Sequence, residues 1–175
     1  MRWRDDVVAA VQQRLKDAKF GSDDFTIGIQ TWRGNIGGHG HSPQPLSLFV
    51  EYARAWLAKQ PGYTASSKVG IYLMATKTPD IVQEVAAFPQ YRWMFRDASV
   101  AQEDDSLPLA YEESMDLFAD IAAMASTDFC SASDISNLGH LITELMVAWR
   151  GADAAARFCL VGNDRVCKTS NFDDR

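Results

Sequence analysis

The sequence VGIYLMAT, at residues 69–76, is almost continuously apolar and rich in β-favouring side chains. A run of this kind is typical of a strand that is buried on both faces of a parallel sheet. Residues 25–32, FTIGIQTW, form a second β-rich run. Shorter runs follow at 91–95, 128–131 and 157–161. Together these segments predict a sheet of about five strands.

Amphipathic segments alternate with the predicted strands. Apolar residues recur at helical spacing in five segments, at 4–18, 46–57, 78–88, 111–126 and 136–149. Strands that alternate with helices are typical of α/β proteins with helices on both faces of a parallel sheet. We therefore expect a Rossmann-like three-layer sandwich, formed by one domain at 1–165 and followed by a polar tail at 166–175.

Composition narrows the possible partners. The chain has 175 residues and a net charge of −6, which argues against a general binder of nucleic acid, because such proteins carry basic surfaces. No run of about 18 apolar residues is present, so the sequence predicts no membrane span. Acidic residues follow Met1 before any apolar segment, which argues against a secretory signal. We expect a soluble protein.

The three cysteines are few and odd in number. Such a set argues against a disulfide framework, and thiolate ligands of a metal would need a closer cluster. The sequence thus predicts reduced cysteines and no metal site made by them.

The segment from Cys130 to Asn137 joins a predicted buried strand to an amphipathic helix. Its hydroxyl groups and the free N–H groups of a helix start suit a phosphate. In the alternative interpretation Ser133 or Asp134 simply caps the helix. The negative charge of Asp134 would oppose a phosphate.

Arg33 comes just after the first predicted strand, where a guanidinium can clamp a diphosphate with two hydrogen bonds; the alternative is an ordinary surface arginine. His39 and His41 lie in the glycine-rich segment that follows. Two solvated loop histidines are the default interpretation, since no Cys or carboxylate lies nearby in sequence to complete a metal site. If the loop lines a cleft, either histidine can serve as a general base.

Asp120 falls at the edge of the apolar stripe of the predicted helix 111–126. A carboxylate at this position can accept hydrogen bonds from a ring nitrogen and an amino group of a ligand. The alternative is a helix carboxylate that reaches solvent.

Three segments in order resemble the α1,6-fucosyltransferase family, which includes the mammalian core enzyme and the rhizobial nodulation enzyme. They are FTIGIQTWRGNIGGHGH at 25–41, VGIYLMATKTPD at 69–80, and LFADIAAMASTDFCSASDISNLGHLITE at 117–144. No single motif is specific, but their order and spacing hold over about residues 5–150.

The resemblance implies one half of a GT-B-type fold that binds GDP-fucose or a related nucleotide sugar. It implies inverting transfer of fucose to a glycan acceptor, with neither a metal nor another cofactor. The family's guanine-contacting Asp falls on Asp120. Its residues near the base and ribose fall on Ala75 and Thr76, and its β-phosphate contacts fall on Ser136 and Asn137.

The sequence also departs from the family pattern. The family's His after the first strand is Gln30, and its diphosphate-binding Arg is Trp32, so that only Arg33 is basic there. Tryptophan supplies no charge to a leaving diphosphate.

The position of the family's catalytic Glu is Gly40, which leaves His39 or His41 as substitute bases. Two hypotheses follow: a fucosyltransferase-like domain with Arg33 and a histidine in catalytic roles, or a diverged, non-catalytic module that binds a nucleotide or a partner. A third is an α/β protein without any link to carbohydrate.

Overall fold

The computed structural model describes residues 5–17, 19, 22–31, 44–75, 79–97, 111–162, 164 and 167–168. The helices in these ranges are α1 Asp5–Asp17, α2 Leu46–Leu57, α3 Pro79–Ala86, α4 Tyr111–Ala125 and α5 Asn137–Arg150. The strands are β1 Phe25–Gln30, β2 Val69–Ala75, β3 Arg92–Asp97, β4 Phe129–Ser133, β5 Phe158–Val161 and β6 Cys167–Lys168. None of the helices described here is long and apolar enough to cross a membrane.

The described strands form one sheet in the order β3-β2-β1-β4-β5-β6. Strands β1 to β5 are parallel, and β6 runs antiparallel to β5. Phe25 pairs with Val69 and Gln30 pairs with Met74, which confirms the predicted parallel pairing of the first two β-rich runs. The α/β, Rossmann-like architecture is also confirmed. The strand order reverses between β1 and β4, and ligands of such sheets bind at the carboxyl ends of the strands on either side of this reversal.

Helices cover both faces of the sheet. Ile27 and Ile29 pack in a core with α2 and α3, whereas the next residues along β1 face α4 and α5. At Gly28 a Cβ would lie 3.1 Å from the Thr127 Oγ1, so this strand position leaves little room for a side chain. The sheet therefore separates two apolar cores, as expected of a three-layer arrangement.

Several features of the second half were not predicted. The expected short strand at 128–131 is β4, which continues to Ser133. A 3-10 helix, Gly151–Ala156, connects α5 to β5. The segment at 166–175, predicted as a polar tail, contributes the two residues of β6.

The cysteines require a correction. Cys159 on β5 and Cys167 on β6 form a disulfide, with their Cα atoms 5.1 Å apart, whereas the sequence predicted reduced cysteines. The reason is the antiparallel return of β6, which brings together two residues that are 8 positions apart. Cys130 is free and buried.

Candidate functional site

The side-chain amide of Gln30 joins the carboxyl end of β1 to the turn after β4. Its Oε1 accepts a hydrogen bond from the Ser133 N–H at 3.2 Å, and its Nε2 donates to the Ser136 Oγ, also at 3.2 Å. Gln30 is only 2% exposed, so a buried amide has partners at both ends, as burial requires. We call Gln30, Ser133 and Ser136 the Gln30 cluster. It fixes the point of strand reversal with neutral groups.

Ser136 is the N-cap residue of α5, but its side chain does not cap the helix. The Ser136 Oγ accepts a hydrogen bond from Gln30, so the Ser136 hydroxyl can still donate its proton to another acceptor. Asp134 lies beside His140, whose Nε2 is 2.8 Å from the Asp134 carbonyl oxygen and 3.5 Å from its carboxylate. The structure therefore supports neither Ser133 nor Asp134 as the helix cap. The backbone N–H groups of the first turn have no side-chain acceptor at the N-cap.

Gly139 permits the close approach of α5 to the end of β4. A Cβ at this position would lie 2.6 Å from the Ser133 carbonyl oxygen and 3.1 Å from the Gln30 Oε1. A side chain would therefore collide with backbone, which gives way less easily than a side chain. Glycine here sets the distance between the helix start and the Gln30 cluster.

Asp120, on α4, is 1% exposed, so the alternative of a solvent-facing carboxylate is wrong. The Tyr72 hydroxyl donates to its Oδ1 at 2.5 Å. The Arg14 Nε lies 2.9 Å from the same oxygen, and the Arg14 Nη2 donates to Asp116 at 2.8 Å. We call Arg14, Tyr72, Asp116 and Asp120 the Arg14 cluster. It pairs a buried carboxylate with a cation, which burial of a charge demands.

The structure brings together only part of the predicted site. Ser136 and Asn137 lie at the start of α5, next to Gln30. Ala75 is 1% exposed and packs in the α2 and α3 core, on the opposite face from Asp120. Four predicted residues lie outside the described residues: Arg33, His39, His41 and Thr76.

Sequence reasoning missed the two cluster-forming residues. Gln30 was noted only as a departure from the family pattern, and Arg14 was not singled out. A buried glutamine at the end of a β-rich run is the signal that points to the first. For Arg14 the only signal is a cation on an amphipathic helix, which is too common to single out one residue.

Two further buried groups lie near the strand reversal. Thr31 is 2% exposed, and its hydroxyl has no hydrogen-bond partner among the described residues. Burial raises the pKa of the Cys130 thiol to about 12, so this cysteine is protonated at neutral pH and is not a nucleophile. The described residues bring together no group of three His, Cys, Asp or Glu that could hold a metal ion.

A cleft of about 900 Å³ lies at the other end of the sheet. Its lining includes Trp56, Phe129, Arg157 and Phe158. These residues come from the end of α2, the first residues of β4 and β5, and the position just before β5. None of the predicted site residues that the structure describes lines this cleft. The strand reversal therefore remains the candidate site.

Comparison with known protein families and with curated proteins gives no match. Among solved structures, the chain is similar to a mutant form of Arabidopsis thaliana FUT1, a fucosyltransferase, in complex with GDP. The TM-score is 0.50 and the sequence identity is 13%. The match covers 81% of this chain and 31% of that chain, so this chain corresponds to less than a third of the fucosyltransferase. At this identity the likeness concerns the fold alone, which is fucosyltransferase-like.

Proposed function

We propose that this chain is a nucleotide-sugar-binding domain of the fucosyltransferase type that binds GDP and GDP-fucose at the carboxyl ends of β1 and β4. The observation that carries the proposal is the Gln30 cluster at the strand reversal. It holds the Ser136 hydroxyl at the start of α5, where an anion is favoured by the helix dipole and by the backbone N–H groups.

In this proposal Ser136 and Asn137 bind the diphosphate. The Ser136 Oγ already accepts from Gln30, so it meets a phosphate oxygen as a donor. The Thr31 hydroxyl, which is buried and has no hydrogen-bond partner among the described residues, marks a second polar group near this edge. A ligand or an ordered water would supply the missing hydrogen bond. The fold's similarity to a protein solved with GDP supports the same choice of ligand.

Asp120 recognises guanine in this proposal. A carboxylate accepts hydrogen bonds from the N1–H and the amino group of guanine, and adenine offers no such pair of donors. Asp120 is a buried carboxylate within the apolar layer on this face of the sheet. Ala75 packs on the opposite face of the sheet from Asp120, so in this proposal only Thr76 contributes near the base and ribose.

Titration calorimetry with GDP and ADP tests the proposal. We expect GDP to bind more tightly than ADP. Asp120→Asn should weaken the binding free energy of GDP by about 1.5–3 kcal/mol and leave that of ADP unchanged. Ser136→Ala should weaken both nucleotides about tenfold, because both carry the diphosphate. Ser126→Ala is the matched control. The Ser126 hydroxyl lies just after the last residue of α4 and donates to the Ala122 carbonyl oxygen, so its loss should leave the affinity for both nucleotides unchanged. Equal affinities for GDP and ADP would contradict the assignment of Asp120 to guanine.

Catalysis is a separate question, and Trp32 favours a non-catalytic module. With Trp32 at the position of a cationic donor, the leaving diphosphate loses a stabilising charge, which typically costs about 10²–10³ in rate. Replacing a carboxylate base by a histidine changes a group that contributes about 10²–10⁴. If the chain transfers fucose, Arg33 stabilises the diphosphate and His39 or His41 is the base.

An assay of GDP release from GDP-fucose, with and without a glycan acceptor, distinguishes an active transferase from a non-catalytic module. We expect release to be undetectable or very slow. Acceptor-stimulated release that Arg33→Ala abolishes would instead establish an active transferase. Release that rises in Trp32→Arg would favour the diverged module, because that variant restores the missing charge.

A further inference from the structure

Helix α1 packs against α4 through half-buried side chains and several polar contacts. None of its residues is buried, although Leu15 packs partly against the α4 and α5 core. The Tyr111 hydroxyl donates to Asp6 at 2.6 Å, and Arg14 reaches Asp116 and Asp120 on α4. A helix held in this way is among the parts of a fold that detach most readily.

Arg14 occupies the carboxylate that the proposed function assigns to guanine. Its Nε lies 2.9 Å from the Asp120 Oδ1, but this N–H has no aligned hydrogen bond among the described residues. The contact is therefore an ion pair rather than a directed hydrogen bond. With Asp120 only 1% exposed, a base cannot reach the carboxylate while Arg14 stays in place.

The arginine side chain and the guanine edge offer the same chemistry to a carboxylate. A guanidinium presents N–H donors in a planar fork. Guanine contains the same N–C–N unit, with the N1–H and the amino group side by side. The Arg14 fork already divides its donors between two carboxylates, Asp120 and Asp116. Either group satisfies Asp120, and both cannot do so at once.

We propose that Arg14 is an internal competitor for guanine and that α1 is the cover that guanine displaces. The inference rests on the proposed function, in which Asp120 binds the base. Only molecules in which Arg14 has left Asp120 can bind guanine, so the apparent affinity for GDP is the intrinsic affinity multiplied by the fraction of such molecules. Adenine does not use this carboxylate, so ADP binding is unaffected. Arg14 is thus a residue that sets both the affinity and the specificity of the base site.

Calorimetry on full-length variants tests the competition. Arg14→Gln removes the charge that holds Asp120, and we expect GDP to bind at least about tenfold more tightly, since a hydrogen bond to a charged group is released to the ligand. ADP affinity should stay the same. Lys16→Gln makes the same charge change on the exposed face of the same helix and should leave both affinities unchanged. Asp116→Asn removes the second anchor of Arg14 and should tighten GDP by a smaller factor.

A measurement on the unaltered chain covers the case in which Arg14→Gln does not fold. Hydrogen exchange of the α1 amides, at 5–17, should speed up severalfold when GDP is added, because guanine releases the helix. ADP should produce no such change. If GDP binds in preference to ADP but neither α1 exchange nor the Arg14→Gln affinity changes, the competition is wrong and the proposed function stands. If GDP shows no preference over ADP in any variant, both are overturned.

Discussion

The members of the Gln30 cluster lie at the end of β1, at the end of β4 and in the turn that leads to α5. The Arg14 cluster, in contrast, includes a residue of α1, a helix that has no buried residue. The first cluster is neutral, and its amide is held at both ends. The second is charged, and its arginine lies at an edge of the molecule, 21% exposed against 1% for Asp120. Both clusters lie on the same face of the sheet.

In the proposed function, this difference separates a diphosphate half of the site, which is preformed, from a base half, which Arg14 covers. A diphosphate needs donors that are already in position, and the start of α5 is fixed before any ligand arrives. A base site that ends on Asp120 must first lose Arg14. In the proposed function, the molecule thus combines a rigid anion site with a base site that opens only at a cost. Each of the following substitutions acts on one of these two halves.

The largest effect should come from breaking the charged cluster. Arg14→Met removes the Arg14 cation from the buried Asp120 carboxylate, and we expect the free energy of unfolding to fall by about 3 kcal/mol. This value is at the lower end for a broken buried pair, because Arg14 is partly exposed. Urea denaturation measures it.

The matched control removes the charge as well. In the double variant Arg14→Met with Asp120→Asn, the amide carries no charge, so most of the lost stability should return. A loss below about 1 kcal/mol for Arg14→Met alone would mean that Asp120 does not depend on α1, and the contrast between the clusters would disappear.

A smaller effect should follow in the neutral cluster. Gln30→Met keeps the volume but leaves the Ser133 N–H without its acceptor, which costs about 1–3 kcal/mol for a buried donor. Because no charge is involved, urea denaturation should give the same loss at low and high salt. Gln83→Met, at an exposed position of α3, should change stability by less than about 0.5 kcal/mol. A strongly salt-dependent loss would show that the cluster is not neutral.

Packing around the neutral cluster should respond more weakly still. In Gly139→Ala the new Cβ would approach the Ser133 carbonyl oxygen to 2.6 Å, and overpacking of this kind costs about 1–3 kcal/mol. Alanine also favours the helix by about 1 kcal/mol. We expect a net loss of about 1 kcal/mol, seen as a fall of about 2–4 °C in Tm. A rise in Tm would show that α5 can shift away from β4 and that the anion half is not rigid.

Most of the fold could be predicted because its signals are local. Apolar runs at β1 and β2 and helical periodicity along α5 depend on neighbouring residues only. The two-residue strand β6 and the Cys159–Cys167 disulfide could not be predicted, because they depend on where the chain returns to the sheet.

The candidate site divides in the same way. The segment from Cys130 to Asn137 was predicted to suit a phosphate because it joins a buried strand to a helix, which is a local pattern, and the family resemblance then pointed to Ser136 within it. Its contact with Gln30 spans 106 positions, and the contact of Arg14 with Asp116 spans 102. Such contacts are set by tertiary packing, so no periodicity or motif along the chain encodes them.

The smallest expected effect tests whether the interior beneath the neutral cluster stays uncharged. Cys130 lies on β4 beside Gly28, and burial raises the pKa of its thiol from 9.0 to about 12. The folded state therefore keeps the proton to a higher pH than the unfolded state does. The stability that this raised pKa contributes is complete well below pH 9 and is lost as the pH rises towards 12. About 0.4 kcal/mol of it is already lost at pH 9.

Other groups titrate in the same range, so the comparison with Cys130→Ala isolates the thiol. The variant should be less stable at pH 7, because it leaves a small cavity. The gap between the two proteins should then narrow steadily above pH 9 in urea denaturation, since only the natural chain can lose stability through this thiol. A constant gap up to pH 10 would mean that the thiolate is tolerated in the fold. In that case a charge can be held on β4 within the α4 and α5 core, and the division between a neutral half and a charged half of this face would have to be abandoned.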